Sequence, residues 1–322
     1  MRLILASQHV GVFGSDVMAQ GWRILDCINL EGRIRSTRGQ VVIESKDGSS
    51  QSVPVADVSV VLVGVKVGFS AAVLHRLCDE DVAVLFCDWR GVPEGGAYCW
   101  SDHSRVGARH LAQSSVSQPR KKSLWSSIIR AKIKGQSSVL DALGLPHAAR
   151  LQMLAKEVRS GDPSNIEGQA ARIYWSDTLN EYPFGREPRS GSSINSMLDY
   201  GYGVLRGHGV RAVLSAGLNP ALGVFHRGRS NPFNLVDDII EPFRPAIDEV
   251  VFGLDREASL SDPEVKAQLV AASTQRFLRD GKTIPTVLEH FAQLIGQYFE
   301  GDIDKVSVPH WRGISAFGNY DG

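Results

Sequence analysis

The sequence predicts an α+β protein, with a small N-terminal β domain followed by a mostly α-helical domain. Three observations predict it. β-Branched runs crowd the first ninety residues, helical periodicity takes over after about Ser104, and a Gly/Pro-rich stretch, Gly91 to Ala97, lies between the two regimes. With 322 residues, 43% of them hydrophobic and 22% charged, the chain has material for two domains with cores of their own.

The elements follow in order. Trp22 to Ile28, Gln40 to Glu44 and Val58 to Val63 are rich in β-branched residues and separated by Gly, Asp and Ser clusters, so each is expected to be a strand. Ser70 to Asp81 spaces its apolar residues as a helix does, and Val82 to Asp88 (VAVLFCD) returns to the continuous apolar run of a buried strand. One helix is thus expected to close the sheet. The segment GVPEGGA reads as a turn or interdomain connection. Helices are expected over Lys122 to Leu143, Pro146 to Arg159, Ile166 to Leu179, Ser193 to Ala216 and Asp262 to Phe299. The turn Gly161 to Asn165 ends one of them and offers Asp, Ser and Asn as caps for the next. The expected division is a β domain over 1–90, a linker over 91–103, a helical domain over 104–312 and a loose tail over 313–322.

Composition excludes several classes. No window approaches 18 uninterrupted apolar residues, and the few apolar residues after Met1-Arg2 are too short a run for a secretory signal. A cytoplasmic protein without a membrane partner is expected. Cys27, Cys78, Cys87 and Cys99 contain no C-x-x-C pair, which argues for buried free thiols rather than a zinc ribbon or disulfide framework. Lys plus Arg equals Asp plus Glu at 35 each, so net charge gives no support to a nucleic-acid partner and local charge has to decide.

The chemistry concentrates in two places. A helix beginning near Ser164 (SNIEGQAARIYW) carries Glu167 in its first turn, where a carboxylate can be no more than a dipole-favoured start. The segment Gly217 to Asp248, GLNPALGVFHRGRSNPFNLVDDIIEPFRPAID, adds His226, Arg227, Arg229 and an acidic helix start. Asp238 and Glu241 stand three apart and Asp237 and Glu241 four apart, so a helix would present carboxylates on one face and invite a cation. An imidazole with carboxylates suits Mg2+ or Mn2+ acting on phosphate, against the alternative of a buried, satisfied histidine. Guanidinium groups beside such a site can hold a phosphate. Gly201 to Gly203 lies inside a helical pattern rather than after a strand, so it is no dinucleotide loop, and no Walker A sequence occurs. Between Arg120 and Gln136, six positive charges (Arg120, Lys121, Lys122, Arg130, Lys132 and Lys134) occur with no acid. This stretch reads either as a phosphate-binding surface for DNA or as a solvated helix face.

These residues together resemble the CRISPR-associated spacer-acquisition integrases of the Cas1 family, over nearly the whole chain. The matching pieces are VAVLFCD, LWSSIIRAKIKGQ, SNIEGQAARIYW, NSMLDYGYGVL and above all GLNPALGVFHRGRSNPFNLVDDIIEPFRP, whose wording is similar to the type II system variety. The resemblance implies Glu167, His226 and Glu241 as metal ligands and catalytic residues, with Asp238 and Tyr202 in supporting positions. It also implies a dimerising β domain, a helical catalytic domain, and two homodimers bridged by a dimer of the small Cas2 protein. The substrate would be double-stranded DNA, other adaptation proteins of a type II system could attend, and a spacer 3′-hydroxyl would attack a repeat-boundary phosphodiester. Two rival readings are a metal-dependent nuclease acting on branched or single-stranded nucleic acid in DNA repair, and a non-catalytic DNA-holding scaffold. The intact set of three ligands argues against the scaffold.

Overall fold

A strand that is apolar at all but one position needs cover on both faces, and Val58–Val63, in which Ser59 is the polar residue, has it. In the computed structural model all six of its residues are buried, and it lies between two parallel neighbours, Arg23–Cys27 and Ala83–Cys87. The structure describes residues 11–13, 23–88, 93–99, 103–180, 186–187, 193–255 and 257–317. The chain divides into two compact units, residues 1–100 and 101–322.

In the first unit the strands are β1 (Gly11–Phe13), β2 (Arg23–Cys27), β3 (Gly32–Thr37), β4 (Gln40–Ser45), β5 (Ser50–Pro54), β6 (Val58–Val63), β7 (Val67–Phe69), β8 (Ala83–Cys87) and β9 (Pro93–Ala97). They form a five-stranded sheet in the order β1-β2-β6-β8-β9 and a four-stranded one in the order β5-β4-β3-β7. Helix α1 (Ala71–Asp79) buries Val73 and Leu77 into the core shared with Leu25, Ile34, Ile43 and Val61. Cys27 and Cys87 are buried free thiols, and burial pushes Cys87 up to about 12.

One expectation is corrected here. Of the segment read as a turn or connection, Pro93–Ala97 is strand β9, antiparallel to β8; Gly91 and Val92 lie outside the described residues. Proline is tolerated at the first position of this outermost strand, and Gly96 lets its backbone lie against Val84, whose carbonyl would stand 2.7 Å from an added Cβ. Strands β3, β5 and β7 also escape the sequence reading: β3 and β5 carry exposed polar residues, and β7 is three residues long with Gly68 and Phe69 exposed.

The second unit is built of helices, apart from one bridge between Arg276 and Thr283 among its described residues. They are α2 (Val106–Ser115), α3 (Gln118–Ala142), α4 (Ala148–Glu157), α5 (Ile166–Thr178), α6 (Ser193–Ser215), α7 (Asn234–Ile240), α8 (Arg244–Gly253), α9 (Pro263–Thr274) and α10 (Ile284–Glu300). The chain is thus α+β, as expected. The stretch Asp262 to Phe299 is two helices, because the backbone of Phe277 turns back to bond Lys282 and Ile284 bonds Gln275. Near the end of the described residues, Trp311 is fully buried and its Nε1 donates to Glu249 Oε2 at 2.5 Å, while the Ile314 N–H donates to Glu249 Oε1 at 3.0 Å; residues 318–322 of the expected tail lie outside the described residues.

Helix α3 is the axis of this unit, packing on α4, α5, α7 and α8 with twelve of its residues buried. Helix α6 approaches α7 and α8 closely because Gly209 faces Val236 and Ile240, and Gly201 faces Ile247. No helix is long and apolar enough to cross a membrane among the described residues.

Candidate metal and nucleic-acid site

Helix α5 places Glu167 through its caps. Asp162 accepts from the N–H groups of Ile166 and Glu167 at 2.9 Å each, and Asn165 accepts from Gly168 at 3.2 Å. Those bonds satisfy three of the four donors that a helix start leaves open, and they fix the first turn on which Glu167 stands. Its carboxylate meets α3: Lys132 Nζ donates to Glu167 Oε1 at 2.7 Å and stands 2.7 Å from Glu241 Oε2.

Glu241 comes from the short 3-10 turn Glu241–Phe243 that joins α7 to α8. Burial would raise its carboxyl, but Arg244, Lys132 and His226 outweigh burial and hold it at about 2. Its Oε1 accepts from Arg244 Nε at 2.9 Å, and its buried Oε2 is ion-paired with Lys132. Arg244 in turn lies over the Tyr202 ring, 4.4 Å from its centroid.

His226 is positioned by Asp238. The turn from Gly223 to His226 wraps the Asp238 carboxylate, whose Oδ2 accepts from the N–H groups of Val224 at 2.6 Å and Phe225 at 3.0 Å. Its Oδ1 accepts from the His226 N–H at 3.2 Å and stands 2.6 Å from Nδ1. Only glycine fits at 223, since an added Cβ would stand 2.4 Å from the His226 carbonyl oxygen. With Nδ1 engaged, Nε2 is the nitrogen left to bind a ligand. The bond to Asp238 raises the imidazole above its ordinary value against the lowering effect of burial, and Glu241 adds to the rise.

The three acids of the 237–241 segment therefore do not share one task. Asp237 accepts from Arg206 Nε at 2.9 Å and from Asn231 Nδ2 at 2.8 Å, Asp238 holds the histidine turn, and Glu241 meets Lys132 and Arg244. Tyr202 donates to Asp248 Oδ1, and Tyr174 donates to its Oδ2 at 2.9 Å. Burial raises Asp248 to about 6 although both phenols and the nearby Arg244 and Arg186 pull the other way.

The six cations of the α3 stretch do not form one surface. Arg120 donates to the carbonyls of Tyr298 at 2.6 Å and Ile303 at 2.8 Å and lies over the Tyr298 ring, holding the end of α10. Arg130 donates to the Val158 carbonyl through Nε at 3.2 Å and NH2 at 2.7 Å. Lys132 lies between the two glutamates, and Lys134 stands close enough to His310 to join burial in lowering it to about 4. Residues 130 and 132 lie about 200° apart around α3, and 120, 130 and 132 each meet a different neighbour, which a count of charges does not register. Lys122 is exposed, Lys121 is half-buried beside Arg227, and Arg227 and Arg229 are exposed. Lys121, Arg227 and Arg229 carry outward positive charge on and beside the His226 loop, whereas the Lys122 side chain lies against Gly161.

Sequence reasoning missed Lys132 as a partner of the acids, Arg244 and Asp248. The Glu241–Arg244 pair was signalled by its i,i+3 spacing. Asn234 was also missed, although it ties the loop by donating to the carbonyls of Ala221, Gly228 and Asn231 at 3.0–3.1 Å.

Two carboxylates converging on one cation, beside an imidazole with a directed Nε2, fit a hard divalent ion. Among the described residues no three His, Cys, Asp or Glu side chains are gathered as a ready cage, and Lys132 stands where the two carboxylates meet. An ion entering there has to displace that ammonium.

The family model of CRISPR associated protein Cas1 matches residues 27–279. The CRISPR-associated endonuclease Cas1 of Neisseria meningitidis serogroup C is 37% identical over 297 residues, covering 91% of this chain and 92% of that one. Among solved structures, a casposase bound to integration product superposes with a TM-score of 0.76 at 18% identity, covering 93% of this chain and 96% of that one. A Cas6-RT-Cas1–Cas2 complex gives 0.72 at 18%, covering 94% of this chain and 37% of that one.

Proposed function

The chain belongs to the CRISPR-associated Cas1 endonuclease family, and from that premise we propose that it inserts spacer DNA into a CRISPR array at a metal site formed by Glu167, His226 and Glu241. The observation that carries this reading is the meeting of Glu167 and Glu241 on a single cationic group beside His226. Mg2+ or Mn2+ bound there would draw charge from a phosphoryl oxygen and from the departing oxygen.

The protein's own residues do the rest. Asp238 holds the imidazole in one tautomer and orientation. Arg244 fixes the Glu241 carboxylate, and the Tyr202 ring and Asp248 hold Arg244 in turn. Lys132, once displaced, carries a positive charge free to meet a phosphate. Lys121, Arg227 and Arg229 position the DNA backbone. The 3′-hydroxyl oxygen of the incoming strand forms a bond to phosphorus as the bond to the target strand's 3′-oxygen breaks, so one phosphodiester replaces another. That exchange requires neither nucleotide hydrolysis nor a side-chain nucleophile, in keeping with the absence of a phosphate loop. The shared fold with a casposase and with the Cas1 part of a Cas1–Cas2 complex supports DNA and a Cas2 dimer as partners. In this reading the β unit pairs two copies of the chain, and the wording of the histidine motif favours a type II system. The same site with water as nucleophile would act as a nuclease, leaving free ends instead of joined strands.

Glu241→Gln keeps shape and removes the anion, so joining of a labelled duplex with a free 3′-hydroxyl to a repeat-containing plasmid should fall at least about a hundredfold. Binding of the duplex should remain. Near-normal joining by Glu241→Gln, or full joining by the unaltered protein in chelator, sinks the assignment.

A further inference from the structure

Phe225 is 49% exposed, yet it is not a stray apolar side chain. One face of its ring lies parallel to the indole of Trp125, centroids 4.2 Å apart at 3°, and Trp125 is itself only 2% exposed in the middle of the packed helix α3. The ring edge meets the His226 imidazole at 5.6 Å and 82°. Its backbone N–H is held by Asp238 at 3.0 Å, in the same turn that orients the histidine. An aromatic ring is thus fixed at backbone and on one face, beside a metal-binding histidine, with its remaining surface open to solvent. Ordinary burial would have turned it inward; fixing it in place removes the entropy cost of ordering it on binding.

We propose that Phe225 is a stacking platform for an unpaired nucleobase of the DNA strand whose phosphate occupies the Glu167–His226–Glu241 site, with Arg227 and Lys121 taking phosphates of the same strand. The proposal rests on the DNA-joining reading given above. Every base has a π face, and an aromatic platform takes it without regard to sequence. The base has to be unpaired, because inside a duplex its faces are covered by its neighbours. Arg227, exposed and two residues along the chain, and Lys121, close enough to Arg227 and Asp238 to interact with their charges, favour a polyanion over an apolar peptide.

The test uses the full-length protein and three duplexes at fixed salt: blunt, with a 3′ single-stranded extension, and with that extension made abasic at its terminal positions. The unaltered protein should prefer the intact extension over the abasic one by about tenfold and should quench 2-aminopurine placed there. Phe225→Ala should bind the intact extension only as tightly as the unaltered protein binds the abasic one, with no further loss on the abasic DNA and none on the blunt duplex. Phe225→Trp should retain the preference, while Phe225→Leu, which keeps apolar packing on Trp125, should lose it. An unchanged preference in Phe225→Ala overturns the proposal, as does an equal loss on all three DNAs or lost self-association with intact DNA binding. If the unaltered protein binds none of the three, the joining reading falls together with the platform; if it binds and Phe225→Ala is indifferent to the base, only the platform falls.

Discussion

An ammonium set between two carboxylates counts for little in water and for much once water is excluded. Lys132 is such a group, and Lys132→Met should leave Glu167 without its cation and Glu241 with Arg244 as its remaining ion-pair partner, lowering stability in chelator by about 1–3 kcal/mol. A divalent cation should restore that loss, so the melting temperature of the variant should rise more on adding Mn2+ than that of the unaltered protein. Equal rises would show that the lysine and the ion do not compete. Asp248 gives a second prediction, in pH. Its folded value near 6 exceeds the ordinary 3.8, so the folded state keeps this proton longer and stability falls as pH rises from about 4 to about 6. The effect of one such group is about 3 kcal/mol across that window, and Asp248→Asn should flatten the curve of urea-unfolding free energy there. A slope unaltered by the substitution would place the titration elsewhere. Candidate residues at this scale were legible where chemistry is unusual for its position: His226 and Glu241 stand out as an imidazole and a carboxylate near a polar loop, whereas Glu167, in a helix's first turn, drew notice through the family resemblance. Lys132 was not, because a lysine on a helix ordinarily signals a wet face, and only the packing of α3 against α5 and the 3-10 turn shows which way it points.

Elements decide whether those residues meet. Helix α6 passes α7 with Gly209 at the crossing, where an added Cβ would stand 2.7 Å from Val236 Cγ1 and 2.9 Å from Ile240 Cγ2. Both neighbours are β-branched and stiff at χ1, so neither yields easily. Gly209→Ala should destabilise by about 1–3 kcal/mol of overpacking, reduced by roughly 1 kcal/mol of helix propensity. Val236→Ala in the same chain should return part of it, which a double-mutant cycle in denaturant measures. Additive losses would mean that the helices do not touch there. Strands with almost continuous apolar character, β6 and β8, were readable from the pattern, whereas β3 and β5 are largely polar, β7 is three residues long and β9 begins with proline. The merging of α9 and α10 into one expected helix has a similar cause, since the residues at their junction include Phe277, which is fully buried and so extends the apolar pattern through the break.

At the scale of the molecule, a neutral chain has to bind a polyanion through local charge. Replacing Lys121, Arg227 and Arg229 by alanine should flatten the slope of log affinity against log salt by about two to three units if each touches a phosphate. Arg120→Ala should leave the slope alone and lower the melting temperature, since its bonds hold the end of α10. Equal slopes for the triple variant and the unaltered protein would remove the loop and the start of α3 from the DNA path. Trp125 beneath the exposed ring and Lys132 between the glutamates are seven residues apart on α3, two turns of one continuous helix, about 10 Å along its axis. That helix is therefore a gauge: it sets the spacing and the angular phase between the ring and the acid pair. One residue inserted between them would turn one relative to the other by about 100° without disturbing either locally. Length variation in this stretch of α3 is for that reason intolerable in a way that variation in the surrounding loops is not.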